Sequence, residues 1–188
     1  MIDPACNSIP GNPIPDGGIP RAGLSAEQIA DSFNAVFSGG CNTIMLGGAS
    51  EPLFVPASGE QPARIHYTRD YARSALHEAA HWCIAGIDRR GLLDFGYAYQ
   101  PPPRTQKQQQ RFFLLERDTQ ALELLFCDAA ELDFQPSPDN LDIEREMLDD
   151  FYRCVAERAG EWAKSRLPPR AIRLIDQLRW AVRKMSND

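Results

Sequence analysis

Residues 71–86 read YARSALHEAAHWCIAG, and the apolar residues around the central HEAAH motif predict a buried helix. His77 and His81 stand four residues apart, which is about one helical turn, so both imidazoles project from the same helix face. Two histidines in this pattern, with Glu78 between them, are typical of a site for one divalent metal ion. The alternative is a pair of core histidines that bond to backbone groups or to water. The intervening carboxylate favours the metal site.

The composition of the 188 residues is that of a globular protein, with 43% hydrophobic and 24% charged residues. The net charge is -6 and there is no long basic stripe, which argues against direct binding to nucleic acid. The first residues lack the pattern of a signal peptide, and no apolar run has the length of a membrane span. These features predict a cytoplasmic protein with no membrane association.

The order of predicted elements indicates an α+β domain in which a small β-sheet packs against a helical layer that carries the metal site. Residues 1–23 are rich in Pro and Gly and predict a flexible tail, so a single catalytic domain would span residues 24–188. A helix opening at the N-cap Ser25 comes first, and the polar stretch 101–110 predicts a mobile loop. Strands are predicted at 43–46, 53–55, 64–67 and 95–99, and further helices at 119–130, 143–164 and 169–185.

The two histidines need a third ligand from outside the motif. Metzincin proteases place a glycine and a histidine at the third and sixth positions after the second motif histidine, where this chain has Ile84 and Ile87. Ile87 also excludes the H-x3-H-x5-H site of the bacterial endoribonucleases that mature ribosomal RNA. His66 lies in a strand-like run and is expected to be structural.

A carboxylate is therefore the expected third ligand. Glu123 stands out because it lies among apolar residues of a predicted helix, where a metal ion would offset its desolvation. Helical geometry alone is equally consistent with a Glu123 side chain that faces solvent. Gluzincin proteases usually take such a Glu from an E-x-x-x-D pattern, and Cys127 stands at the Asp position here. The competing acidic residues are Asp88, Asp94, Glu116 and Asp128.

Four blocks in order resemble the elongation factor P hydroxylase family of bacteria: HEAAHWCIAG (77–86), LDFGY (93–97), QALELLFC (120–127) and SPDNL (137–141). The resemblance covers about residues 25–145, and the stretch 101–110 departs from the family pattern. It implies an iron-dependent enzyme that acts in the cytoplasm on elongation factor P. The substrate would be a lysine of that factor which already carries a β-lysyl group, and the enzyme would add a hydroxyl to it.

The resemblance also implies the site and the fold. His77, His81 and Glu123 would hold Fe(II), with dioxygen as the co-substrate. Glu78 would act beside the metal, either by orienting a ligand or by meeting an ammonium group. The fold would be similar to that of the endoribonucleases mentioned above.

A β-lysyl-lysine side chain is long and carries amino groups, so its pocket should combine apolar walls with carboxylates. The residues near the motif blocks that meet this requirement are Asp94, Tyr97, Tyr99 and Asp139, and we predict that they bind the substrate. Aromatic side chains at such positions are also common in plain cores.

Two functions from other classes remain open. One is a zinc-dependent hydrolase, a gluzincin-like peptidase or a nuclease, in which Glu78 would be the general base. The other is a binding module that a metal ion stabilises without catalysis.

Overall fold

The computed structural model describes residues 23–140 and 142–186, so the predicted tail, apart from Gly23, lies outside the described residues. Within them the structure has five α-helices and three β-strands. The helices are α1 (Ala26–Phe37), α2 (Ala72–Ile84), α3 (Gln106–Ala129), α4 (Arg145–Lys164) and α5 (Pro169–Met185). The strands are β1 (Thr43–Ala49), β2 (Leu53–Val55) and β3 (Ala63–Thr68).

The three strands form one small sheet in the order β1-β3-β2, with β1 parallel and β2 antiparallel to β3. Ala63, Ile65 and Tyr67 alternate along β3 as its buried residues, and β3 packs against α2 on this face. Asn34 of α1 bonds to both backbone groups of Met45 and thereby ties α1 to β1. The predicted α+β class, with a small sheet against a helical layer, is confirmed.

Helix α2 lies at the centre of the fold and contacts α1, α3, α5 and β3. Its Trp82 side chain is only 1% exposed, and its ring lies 5.1 Å from Phe33 and 4.7 Å from Phe37 of α1, measured between ring centroids. Burying three aromatic rings against one another stabilises this position strongly. The apolar face of α2 is thus held against α1, while His77 and His81 face α3.

The strand predicted at 95–99 is wrong. The structure has a short 3-10 helix at Leu93–Gly96, in which Asp94, Phe95 and Gly96 adopt positive φ angles of 48°, 56° and 66°. The Asp94 carboxylate accepts a hydrogen bond from the Phe54 backbone N–H, and the Phe95 ring stacks on the Phe54 ring at 4.1 Å. These contacts with β2 override the β propensity of the aromatic residues.

Helix α3 begins at Gln106, well before the predicted start at 119, so the predicted mobile loop is wrong for residues 106–110. Thr105 caps the helix, and the Gln108 side chain completes a capping box with it. Gln109 is 2% exposed and donates a hydrogen bond to the Pro138 carbonyl. Polar contacts, which an apolar pattern does not reveal, anchor this segment.

The described part of the chain contains no helix that is long and apolar enough to cross a membrane.

Arg170 of α5 holds the C-terminal end of α2. Its Nη2 atom donates to the carbonyl oxygens of Trp82, Cys83 and Ala85 at 3.1, 3.0 and 2.6 Å, and its guanidinium lies 4.8 Å from the centre of the Trp82 ring. These carbonyls at the helix end have few partners of their own, and a cation is favoured there. Arg170 therefore fixes α2 against α5.

We expect Arg170→Met to lower the free energy of unfolding by about 2–4 kcal/mol, because the Trp82 and Cys83 carbonyl groups lose their charged donor, while that of Ala85 keeps Arg90. Arg173→Met is the matched control. Arg173 also lies over an aromatic ring, that of Phe37, but donates only one exposed hydrogen bond, to Val36. Its loss should cost less than about 1 kcal/mol. Urea denaturation measures both, and equal effects would contradict the anchoring role of Arg170.

Candidate metal centre

Two helices supply the centre, α2 with His77 and His81 and α3 with Glu116, Thr119 and Glu123. The α3 residues are spaced three and four apart, which places them on one face of that helix. The packing of α2 on α3 brings the two sets together.

The ligand atoms converge between the helices. His77 Nε2 lies 3.1 Å from His81 Nε2, and the Glu116 carboxylate oxygens lie 3.5 Å from each of these nitrogens. One ligand atom from each of the three residues lies within 4.8 Å of the others. Adjacent ligands at about 2.1 Å from a metal ion stand roughly 3 Å apart, so this donor set fits one divalent ion.

The outer ring nitrogens are also engaged. His77 Nδ1 lies 2.8 Å from Glu123 Oε2, and His81 Nδ1 lies 3.4 Å from Thr119 Oγ1. An acceptor on the far nitrogen orients a metal-binding imidazole and makes it more basic, and a carboxylate is common in that position. Both Nε2 atoms are therefore directed at the same space.

The structure thus places Glu116, one of the competing acidic residues, beside both Nε2 atoms, whereas Glu123 contacts the outer edge of the His77 ring. Glu116 follows the apolar run FFLL (112–115) and precedes the polar run RDTQ (117–120), so its local sequence does not single it out as a ligand. Glu116 and Glu123 are seven residues apart, which is about two helical turns. This spacing indicates that both carboxylates lie on the same face of the helix. Asp88, Asp94 and Asp128 are exposed and are not in the cluster, and His66 lies on the sheet face away from α2.

The three glutamates around the His77 and His81 rings favour a positive charge at this position. Burial opposes the charge on His77, but the attraction of Glu123, Glu116 and Glu78 outweighs it and raises the pKa of this imidazole to about 10. Burial, together with the charge on His77, lowers the pKa of His81, so His81 is neutral. Burial also raises the pKa of Glu78 to about 7. A divalent cation would take the place of the His77 proton.

The centre is open on one side only. The His77 and His81 side chains are 24% and 19% exposed, whereas those of Glu116 and Glu123 are 4% and 5% exposed. The exposed part of the cluster is therefore its imidazole side.

The four predicted substrate-binding residues occupy different surroundings. The Tyr97 ring lies 6.2 Å from that of His81, and burial together with the nearby Glu116 raises the pKa of its phenol. Tyr99 donates to Asp139 at 2.6 Å, and the Arg104 guanidinium, whose side chain is 1% exposed, donates to the same oxygen at 2.7 Å. Asp94 is exposed and holds the Phe54 N–H at 3.0 Å. Only Tyr97 of these four has a described contact with the metal-site residues.

Comparison with known proteins agrees with the geometry. A model of the family described as elongation factor P hydroxylase matches residues 32–187. A protein of Haemophilus influenzae named elongation factor P lysine hydroxylase is 39% identical over 146 residues, which cover 77% of this chain and 82% of that protein. The chain belongs to the elongation factor P hydroxylase family.

Proposed function

We propose that this protein hydroxylates a lysine of elongation factor P with a metal ion held by His77, His81 and Glu116. The observation that carries the proposal is the convergence of two Nε2 atoms and one carboxylate between α2 and α3. Family membership and the name of the Haemophilus influenzae relative support the reaction and the protein substrate.

The resemblance predicted Glu123 as the third ligand, and we propose Glu116 instead. Glu123 contacts Nδ1 of His77, whereas Nε2 of His77 faces His81, so Glu123 is not on the side of the ring where a shared metal ion would be held. In this arrangement Glu123 and Thr119 orient the two imidazoles, while Glu116 binds the ion.

Fe(II) is the proposed metal and dioxygen the co-substrate. Two histidines and one carboxylate on one side of the ion leave positions open, and bound Fe(II) would supply the activation of dioxygen that oxidation of a C–H bond requires. Zinc at the same ligands has no redox chemistry and would support hydrolysis, with Glu78 as the base. The protein's own residues would orient the imidazoles, close the buried side and leave the exposed side to the substrate.

The β-lysylated form of the lysine remains the predicted substrate, and Asp94, Tyr97, Tyr99 and Asp139 remain predicted substrate contacts. For Asp139 the pairing with Arg104 already offsets the charge, which weakens its proposed role at an ammonium group. A likeness to the endoribonuclease fold, a cytoplasmic location and a single domain over 24–188 also stay predictions. The HEAAH helix beside a small sheet supports the likeness in fold.

The third ligand is tested by metal content. Glu116→Gln should lose stoichiometric Fe(II) in elemental analysis after anaerobic loading, because it removes the one carboxylate that the structure, over residues 23–140 and 142–186, describes beside both Nε2 atoms. Glu123→Gln should keep one ion per chain and weaken its binding by about 10- to 100-fold. Asp128→Asn on the same helix is the control and should bind like the wild type. Metal retained in Glu116→Gln but lost in Glu123→Gln would restore the original ligand set.

The reaction is tested by mass spectrometry of β-lysylated elongation factor P incubated in air with the Fe(II)-loaded protein and an excess of a chemical reductant, which supplies the two electrons that reduce the second oxygen atom of dioxygen to water. We expect a mass gain of one oxygen atom, located on the modified lysine by fragmentation. The His77→Ala variant and an anaerobic sample should show no gain. Peptide or RNA cleavage by the zinc-loaded protein, with no oxygen incorporation by the Fe(II) form, would favour the hydrolase.

A further inference from the structure

Helix α5 is strongly basic. Its 17 residues contain five cations and one acid, Asp176, although the chain as a whole has a net charge of -6. Arg170 is used within the fold, at the end of α2. The other four cations are exposed: Arg173, Arg179, Arg183 and Lys184. Helix α5 thus presents a basic face on an acidic protein.

Two of the exposed cations have no neutralising partner. Arg179 and Arg183 are four residues apart, so their side chains leave the same face of α5. Neither forms an ion pair or a hydrogen bond within the described part of the chain. The preceding helix α4 differs, because its Arg145, Arg153 and Arg158 all pair with acidic residues. The positive charge on α5 is therefore not offset within the described chain.

An exposed indole lies beside these arginines. Trp180 is 51% exposed, whereas Trp82 and Trp162 are 1% and 7% exposed. The ammonium group of Lys184 lies 5.6 Å from the centre of the Trp180 ring. Tryptophan and arginine are enriched among the residues that contribute most to binding at protein–protein interfaces. Basic residues alone are common on helix surfaces, but basic residues around an exposed indole are typical of a contact surface for another protein.

Helix α5 is also fixed to the helix that carries the motif histidines. Arg170 donates to backbone carbonyls of residues 82–85, directly after His81, so the start of α5 lies beside the end of α2. Arg179 and Arg183 follow Arg170 by nine and thirteen residues. At 1.5 Å per residue they lie roughly 14 and 20 Å farther along the helix. A small domain is about 30 Å across, so this separation does not exceed the size of one bound protein.

We propose that the basic face of α5 docks onto an acidic surface of elongation factor P, away from the lysine that reacts at the metal centre. This docking face consists of Arg179, Trp180, Arg183 and Lys184. The inference rests on the proposed function, which supplies a protein as the substrate. A stable interface buries about 800 Å² on each partner, far more than one lysine side chain offers. A second contact outside the metal centre supplies the remaining area, and complementary charge speeds and orients the encounter.

The test is equilibrium binding of elongation factor P to the Fe(II)-loaded protein under anaerobic conditions, measured by calorimetry. The double variant Arg179→Gln, Arg183→Gln should weaken binding about 5- to 30-fold at low salt, because two charge contacts are lost. The loss should be equal for the modified and the unmodified factor, since the docking face does not touch the lysine. At about 1 M salt, where charges are screened beyond about 3 Å, the difference should shrink to about twofold.

The double variant Arg145→Gln, Arg153→Gln on α4 is the matched control. It removes the same amount of charge from side chains that are 90% and 48% exposed and already pair with Asp149 and Asp150. It should bind the factor within about twofold of the wild type. The α5 double variant should keep the melting temperature and the metal content of the wild type, because the replaced side chains have no partner in the described chain.

Trp180 provides a local measurement of the same contact. Because the two other tryptophans are buried, a change in emission on addition of the factor should come from Trp180. The change should be absent in Trp180→Phe. Trp180→Ala should weaken binding roughly 10-fold, as expected for an aromatic residue at the centre of an interface.

Equal binding by the wild type and the α5 double variant, or equal losses in the α4 and α5 variants, would overturn the proposal. Absence of binding by the wild type would also overturn it. A Trp180 signal that appears with single-stranded RNA but not with the factor would make this face a nucleic-acid site instead. None of these measurements depends on turnover. A wild type that docks through α5 but never hydroxylates would contradict the proposed function and leave the docking face supported.

Discussion

The close approach of the His77 and His81 Nε2 atoms, 3.1 Å apart and each 3.5 Å from Glu116, is the constraint on which the site depends. Two imidazoles and a carboxylate that were free in water would each be well solvated and would not stay this close together. In the protein two side chains of α3 fix the rings: Glu123 contacts Nδ1 of His77, and Thr119 contacts Nδ1 of His81. In the proposed ligand set, one helix would thus provide a metal ligand and the groups that orient the other two ligands.

The rest of the fold holds α2 where α3 can reach it. Trp82 packs with Phe33 and Phe37 on the opposite side of the helix, and Arg170 binds the carbonyls at its end. A buried cluster with three glutamates is electrostatically unfavourable without a cation, and these contacts supply free energy that offsets the cost. The centre is therefore arranged in advance, so that ordering of side chains opposes metal binding little.

The segment after α2 links the metal centre to the surface that a substrate would meet. Asp94 and Phe95 are fastened to Phe54 of β2, which brings Tyr97 beside His81 and Glu116. Farther along, Arg104 and Asp139 join residues 99–104 to the SPDNL block, and Gln120 bonds to both backbone groups of Ser137. The blocks that carry the family resemblance are thus largely the segments that surround the cluster, and much of their polar chemistry serves to hold them there.

Local sequence determined the parts of this protein that depend on short-range physics. The one-turn spacing of the histidines, the capping box at Ser25, the bounds of β2 and the start of α5 at Pro169 all follow from neighbouring residues, and the structure has each of them. Only the tertiary structure decided which carboxylate faces the imidazoles, because Glu116 and Glu123 share one helix face and differ only in how far along α3 they meet α2. The same holds for the 95–99 segment, where the contacts with Phe54 outweigh what the local pattern favours. The early start of α3 is different, because the capping box of Thr105 and Gln108 marks it locally and the bond from Gln109 to Pro138 adds to it. Contacts between residues that are distant in sequence decide the first two features, and the residue pattern within a single helix or strand does not predict them.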